Sequence, residues 1–253
     1  LKAIKEFQPD FVVACFDLPK PTFRHKKFEG YKATRPKTPE ELSSQIPKVK
    51  EVLKSFSVDI FEKEGYEADD IIGTISKLVP KHISEVEIII LSGDLDILQL
   101  IDSYTKVYTP RRGIKDTVLY DTEKVKERYG GLRPQELLDF KALKGDPSDN
   151  IPGVPGVGEK TAIILIKGFK TLENLYNELE EGTVEAMSLK ESLRKKLLDS
   201  KEIAFFSKAL AQIKIDVPID FNLEKARWGG YDKQKVIKAL NNLEFYTLIN
   251  RLP

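Results

Sequence analysis

The first clear hydrophobic pattern is Phe11-Val12-Val13-Ala14-Cys15-Phe16, an unbroken apolar run that ends in Asp17. Such a run, without alternation, predicts a strand buried on both faces, as in a parallel sheet. Glu87-Ile88-Ile89-Ile90-Leu91 predicts a second one, ending at Ser92-Gly93-Asp94, and Val58-Asp59-Ile60-Phe61 a shorter third. Thr105–Tyr108 and Val118–Tyr120 flank Pro110-Arg111-Arg112-Gly113 and predict a hairpin. Helical spacing lies between these strands. Leu1-Lys2-Ala3-Ile4-Lys5-Glu6 reads as the end of an amphipathic helix. Pro39 to about Phe56 is a helix, with Thr38 as N-cap, Pro39 in the first turn and Glu40 and Glu41 favouring the dipole. Glu67 to about Val79 and Leu95–Ile101 are two more. Strands alternating with helices predict a layered α/β domain with a mainly parallel sheet.

After about Asp121 the pattern becomes helical, over Thr122–Tyr129, Pro134–Leu143, Lys160–Lys167, Thr171–Leu179, Leu189–Ala211 and Tyr231–Leu248. The expected division is an α/β unit over residues 1–140 and a helical unit over 141–253. No Gly/Ser-rich or Pro-rich linker separates them, so the halves are expected to pack together.

Composition narrows the chemistry. The chain has 253 residues, 41% hydrophobic and 32% charged, a globular balance with a heavily charged surface. Its apolar runs are too short to span a bilayer. One cysteine, Cys15, excludes an internal disulfide and suits a reducing cytoplasm, where it is expected as a small core residue. Two histidines, His25 and His82, exclude a His-rich metal site, so carboxylates would have to hold any metal. Trp228 and His82 are expected as packing and surface residues. The absence of an initiator Met suggests a chain that begins inside a longer protein.

Net charge is only +1, but its distribution is uneven. Residues 20–37 carry seven cations against one acid, Glu29, a net of +6, and interleave them with Phe23, Phe28 and Tyr31. Cations neutralise phosphates and aromatics stack on unpaired bases, so this excursion suits a nucleic acid; a solvated loop is the plainer alternative.

The acids cluster elsewhere. Asp17, Asp94 and Asp96 fall at or just beyond predicted strand ends, the edge where open α/β sheets bind ligands. Glu67, Asp69 and Asp70 open a helix, and Asp146 and Asp149 flank a turn before the helical unit. Asp often caps strands and helices, so one cluster decides little. Together the eight carboxylates suit Mg²⁺ or Mn²⁺, and two such ions suit phosphoryl chemistry. Glu67 and Asp70 share a helix face while Asp69 does not, so the three converge only if Glu67 lies at the unwound start of its helix.

Gly153-Val154-Pro155-Gly156-Val157-Gly158-Glu159-Lys160-Thr161 is no Walker loop, because Glu159 separates the last glycine from the lysine and no strand precedes it. It reads as a glycine hairpin between helices whose N–H groups grip a backbone phosphate, or as a plain tight turn.

Phe16-Asp17, Phe23-Arg24-His25, Tyr31-Lys32-Ala33-Thr34-Arg35, Gly65–Asp70, Ser92–Asp96, Gly145–Asn150 and Gly153–Thr161 stand in the order of one known family. Over nearly its whole length, to Leu243-Glu244-Phe245, the chain resembles the 5′→3′ exonuclease domain of bacterial DNA polymerase I, in the flap endonuclease superfamily. The resemblance implies a Rossmann-like (PIN-like) nuclease core, a helical arch at about 20–46 and a helix-hairpin-helix-type DNA-binding domain. It implies cleavage of 5′ flaps and nicked duplex, including RNA primers, by a cytoplasmic monomer whose parent chain carries a polymerase part. Asp17, Glu67, Asp69 and Asp70 match the acids around one metal, and Asp94, Asp96, Asp146 and Asp149 those around the other. Asp17, Asp94, Lys32 and Arg35 match catalytic positions. Tyr31 matches a stacking aromatic and Arg24 a basic residue at the arch base. Gly153, Gly156 and Gly158, with Lys160 and Thr161, match the DNA-binding hairpin, which in relatives also holds K⁺. The family begins with a strand that carries a ninth acid, and this chain starts after it. The alternative expectation is therefore a flap-binding module impaired in cutting.

Overall fold

The computed structural model describes residues 1–80, 86–112 and 116–252, with the backbone alone at Arg111 and Arg112. His82 and Gly113 lie outside the described residues. Helix α1 (Lys2–Phe7) leads to β1 (Val13–Cys15), the core of the first apolar run. The basic segment follows, with α2 (Phe23–Lys27), α3 (Glu40–Ser43) and α4 (Ile46–Ser55), and then β2 (Asp59–Phe61). The single helix expected over 39–56 is divided at Ser44 and Gln45, and α4 restarts with Pro47 in its first turn. Proline lacks the N–H that would continue a preceding helix, and its fixed φ suits a new start.

β1 and β2 are parallel, with Val13 opposite Asp59. Parallel neighbours need a crossover, and here the crossover is the basic segment. Residues 16–58 leave the carboxyl end of β1 and return to the amino end of β2, and on the way Tyr31, Lys32 and Arg35 meet acidic side chains. Helix α5 (Ala68–Leu78) follows, then β3 (Ile88–Leu91), a 3₁₀ turn (Asp96–Leu100), β4 (Thr105–Arg112) and β5 (Asp116–Tyr120). β3 pairs parallel with β4, and β4 antiparallel with β5. The described strands thus form a two-stranded and a three-stranded sheet rather than the one sheet expected.

The helical part comprises α6 (Thr122–Arg128), α7 (Leu137–Lys144), α8 (Glu159–Phe169), α9 (Leu172–Glu181), α10 (Val184–Met187), α11 (Glu191–Asp199), α12 (Lys201–Ala211), α13 (Lys233–Asn242) and α14 (Tyr246–Ile249). The long helix expected over 189–211 is interrupted at Ser200, and that over 231–248 near Leu243. One buried cluster runs from Ile90 and Val107 through Leu143 to Leu165, Leu197 and Ala204, so strands and helices share a core. The chain then returns to the first strands. Phe11 bridges to Arg227, the Val12 amide donates to the Ala226 carbonyl (2.9 Å), and Val236 and Leu240 of α13 are buried with Phe56 and Val58. Trp228 stacks on Phe56, which is the packing role expected of it. Among the described residues no helix is long and apolar enough to cross a membrane.

Candidate metal and nucleic-acid site

The carboxylates come from two strand ends, one helix start and the turn after another helix. Asp17 follows β1 and accepts from the Ala68 amide (2.7 Å), which ties the first strand to the start of α5. Glu67 is the N-cap of α5 in extended conformation (φ −95°, ψ 160°), so it does sit at the unwound helix start. Asp94 and Asp96 follow β3, with the Asp96 amide donating to Asp94 (2.8 Å). Asp146 and Asp149 come from the turn after α7, where the Ser148 amide and hydroxyl both donate to Asp146 (2.8 and 2.7 Å). Carboxylate oxygens of Asp96, Asp146 and Asp149 lie within 4.8 Å of one another.

Asp69 belongs to the other half of the site. Burial, and then the charges of Asp94, Asp17 and Glu67, push its carboxyl up to about 7. The part of that rise due to the neighbouring acids is repulsion that a bound cation would relieve. Burial also raises Asp96, against the pull of Lys141. Burial acts in the same sense on Asp146, yet Lys141 and Ser148 hold that carboxyl at about 2.

Cations line the cluster. Lys32 donates to Glu67 (2.9 Å) and lies 3.9 Å from Asp149, while Arg35 pairs with Asp149. Lys32 adopts a left-handed backbone (φ 56°) that turns the segment back toward the acids. The Tyr31 hydroxyl spans Glu67 and Asp149 (3.2 Å each), so one ring links the two halves of the site. A cavity of about 420 Å³ opens beside them, bounded by Asp17, Lys20, His25, Lys32, Arg35 and Glu67.

Three residues sit differently from their sequence-based places. Arg24, expected near DNA, is 3% exposed. Its guanidinium forks onto Asp70 (2.7 and 2.8 Å) and donates to the Leu210 and Gln212 carbonyls. Asp70, expected among the ligands, is fully buried and also accepts from the Glu67 and Lys214 amides (3.0 and 2.8 Å). The two serve each other and the joint to residues 210–217, and Arg24 also lies 3.5 Å from Glu67, so the pair braces the acidic edge from inside the protein. Tyr31, expected as a stacking ring, is 3% exposed and keeps its face inside the protein. The excursion around them is accordingly packed over residues 22–31 rather than loose.

At the hairpin, Gly153 is buried with φ 63°, and its amide donates to the Ser207 hydroxyl (3.0 Å). A Cβ there would fall 2.3 Å from the Gly145 nitrogen, so only glycine allows this approach of two turns. Gly156 and Gly158 are exposed, and α8 begins beyond them with Glu159 and Lys160 outside and Thr161 half-buried. Lys196 of α11 reaches within 3.0 Å of the place a Gly156 side chain would start. Lys196 and Lys141 are site-lining cations the sequence reading missed. A helical period could place Lys141 on α7 but could not show that it faces Asp96.

The 5'-3' exonuclease N-terminal resolvase-like domain matches residues 1–130, and the 5'-3' exonuclease C-terminal SAM fold matches residues 132–234. The chain belongs to the 5'-3' exonuclease family. It is 36% identical to a 5'-3' exonuclease of Mycoplasma genitalium over 239 residues, 94% of this chain and 79% of that one. It is 44% identical to DNA polymerase I of Bacillus subtilis over 252 residues, 100% of this chain and 28% of the relative. The chain therefore spans about a quarter of the polymerase relatives it matches. Among solved structures it resembles the bacteriophage T5 flap endonuclease in a pseudo-enzyme–product complex with DNA and metal ions (TM-score 0.71, 22% identity, 84% of this chain and 77% of that one). It also resembles the catalytic core of Rad2 with a DNA substrate (TM-score 0.57, 21% identity, 91% and 73%). These likenesses show the resolvase-like (PIN-type) layered core joined to a SAM-like helical part.

Proposed function

We propose that this chain is a divalent-metal-dependent nuclease that hydrolyses phosphodiesters at 5′ flaps and nicks, RNA primers included. The observation that carries the reading is the closure of Asp96, Asp146 and Asp149 to within 4.8 Å, beside Glu67 and an Asp69 whose carboxyl is raised by burial and then by its acidic neighbours. An all-carboxylate donor set fits Mg²⁺ or Mn²⁺. Asp17, Glu67, Asp69 and Asp94 would hold one ion, with Asp96, Asp146 and Asp149 at the second. Divalent ions there would supply Lewis acidity for attack on phosphorus.

The chain's own groups do the rest. Lys32 and Arg35 stand at the mouth of the cavity, paired with Glu67 and Asp149, where each can exchange its carboxylate partner for a phosphodiester as it enters. Charge placed in advance beside developing negative charge is most effective in the transition state. The first turn of α8, with Lys160 and Thr161, offers N–H groups and a cation to a duplex backbone without reading bases, which suits an enzyme that recognises shape. Gly156 and Gly158 leave that surface open. A K⁺ ion at the hairpin and a polymerase part in the same parent chain belong to this reading as well. The second reading, a flap-binding module that does not cut, rests on the same basic surfaces. Incubation of a fluorescent 5′-flap duplex with Mg²⁺, against EDTA, separates them: cleavage at the flap junction supports the nuclease, and tight binding without any cleavage supports the module.

A further inference from the structure

The acidic cluster already contains a cation, and it belongs to the protein. The Lys141 ammonium pairs with Asp96 and lies 2.6 Å from Asp146, with its side chain 16% exposed. It projects from α7, outside the basic segment and the hairpin. A divalent ion bound to the same carboxylates would sit about 2.1 to 2.6 Å from their oxygens, nearly where the ammonium now lies. A single and a double positive charge cannot share that position. Room for withdrawal exists. Lys141 borders a cavity of about 380 Å³ that also meets Arg128, Tyr129, Lys144 and Glu159. Glu159, the first residue of α8, has a loose partner there among the described residues, Lys144 at 3.5 Å.

We propose that Lys141 is a tethered counterion that occupies the second metal position in the metal-free chain, and that metal binding drives it into the adjacent cavity toward Glu159. This rests on the metal-centre reading above. Lys141 is a positioning residue: it keeps the mutually repelling Asp96 and Asp146 together before the ion arrives, while Arg35 holds Asp149, and it raises the metal concentration needed to fill the site. Because Glu159 begins the helix after the hairpin, the displaced ammonium would also link metal occupancy to the surface proposed to hold duplex.

The test is Mn²⁺ binding to the intact chain, followed by electron paramagnetic resonance without DNA, so that activity is not the readout. Lys141→Met should bind Mn²⁺ at this position roughly tenfold more tightly, the scale expected for removing one nearby like charge. Lys141→Gln serves if the Met variant does not fold. Lys141→Arg, which keeps the charge, should stay near the parent, and Lys144→Met should change affinity less than twofold, roughly the effect of one distant, solvent-screened charge. In EDTA, Lys141→Met should melt lower than the parent, and saturating Mn²⁺ should raise its melting temperature more than the parent's. Unchanged or weaker Mn²⁺ binding in both neutral variants would overturn the counterion role and leave the metal centre standing. No Mn²⁺ binding to the parent would overturn both.

Discussion

Asp69 makes the site sensitive to pH. Its carboxyl is raised to about 7 by burial and by Asp94, Asp17 and Glu67, so near neutrality a proton competes with any cation. Mg²⁺ affinity should therefore rise between pH 5.5 and 8, and Asp69→Asn should flatten that rise; calorimetric titration at several pH values checks both. For the metal-free fold the sign is opposite. A carboxyl raised in the folded state supports folding fully below its unfolded value near 4, and that support is lost as pH rises through about 7. Asp149 is a different case, since Tyr31 and Arg35 both address it. Asp149→Ala should cut at least about a hundredfold more slowly through misplaced ligands, with flap affinity retained or improved, as single-turnover and binding measurements would show. Lys32→Ala and Arg35→Ala should lower turnover more than binding; a change in Kd alone would reduce the segment to a docking surface. Asp17, Asp94 and Asp96 were legible in the sequence because they follow apolar runs, and the other acids because they sit in pairs at a helix start and a turn. The partners of Arg24 and Tyr31 were not, because they lie 46 and 118 residues away in the chain.

Among the elements, the hairpin separates a fold requirement from a binding one. Gly153→Ala would drive a Cβ to 2.3 Å from backbone and should melt markedly lower, whereas Gly158, with nothing within 4 Å and an extended backbone, should accept Ala without loss of stability. Thermal melts of the two variants make the comparison. Lys160→Ala should instead leave the melt alone, weaken duplex binding about equally across sequences and reduce the salt slope by about one. Strands were readable here because β-branched apolar runs are short and unbroken, as at β1 and β3. Helix interruptions were less so. Ser44, Gln45 and Ser200 break no hydrophobic period; at the first of these breaks the local signal is Pro47 in the first turn of α4, which suits a new start rather than a continued helix.

Across the whole molecule, the joint between the strand and helix parts is polar and buried. Arg24 of α2, Asp70 of α5 and the carbonyls of Leu210 and Gln212 form one network, and Gln99 exchanges hydrogen bonds with Ala211 and Ile213 beside it. Removing one member leaves an uncompensated buried charge, so Arg24→Met should cost about 3–5 kcal/mol in urea unfolding. A fully exposed phosphate-binding arginine would show almost no such loss. The α/β-then-helical order was legible from periodicity. The return of residues 212–240 to the first strands was not, since nothing local in that stretch points to Phe11 or Phe56. What joins all three scales is the claim that the carboxylates at the strand ends form a metal centre for cutting 5′ flaps. The most direct measurement is cleavage of a labelled 5′-flap duplex by the parent and Asp94→Ala chains across a Mg²⁺ titration, with flap binding recorded alongside. The parent should cut with saturable Mg²⁺ dependence and stop in EDTA, while Asp94→Ala binds the flap and leaves it whole; cleavage in EDTA, or an Asp94→Ala chain that cuts at the parental rate, would contradict the account.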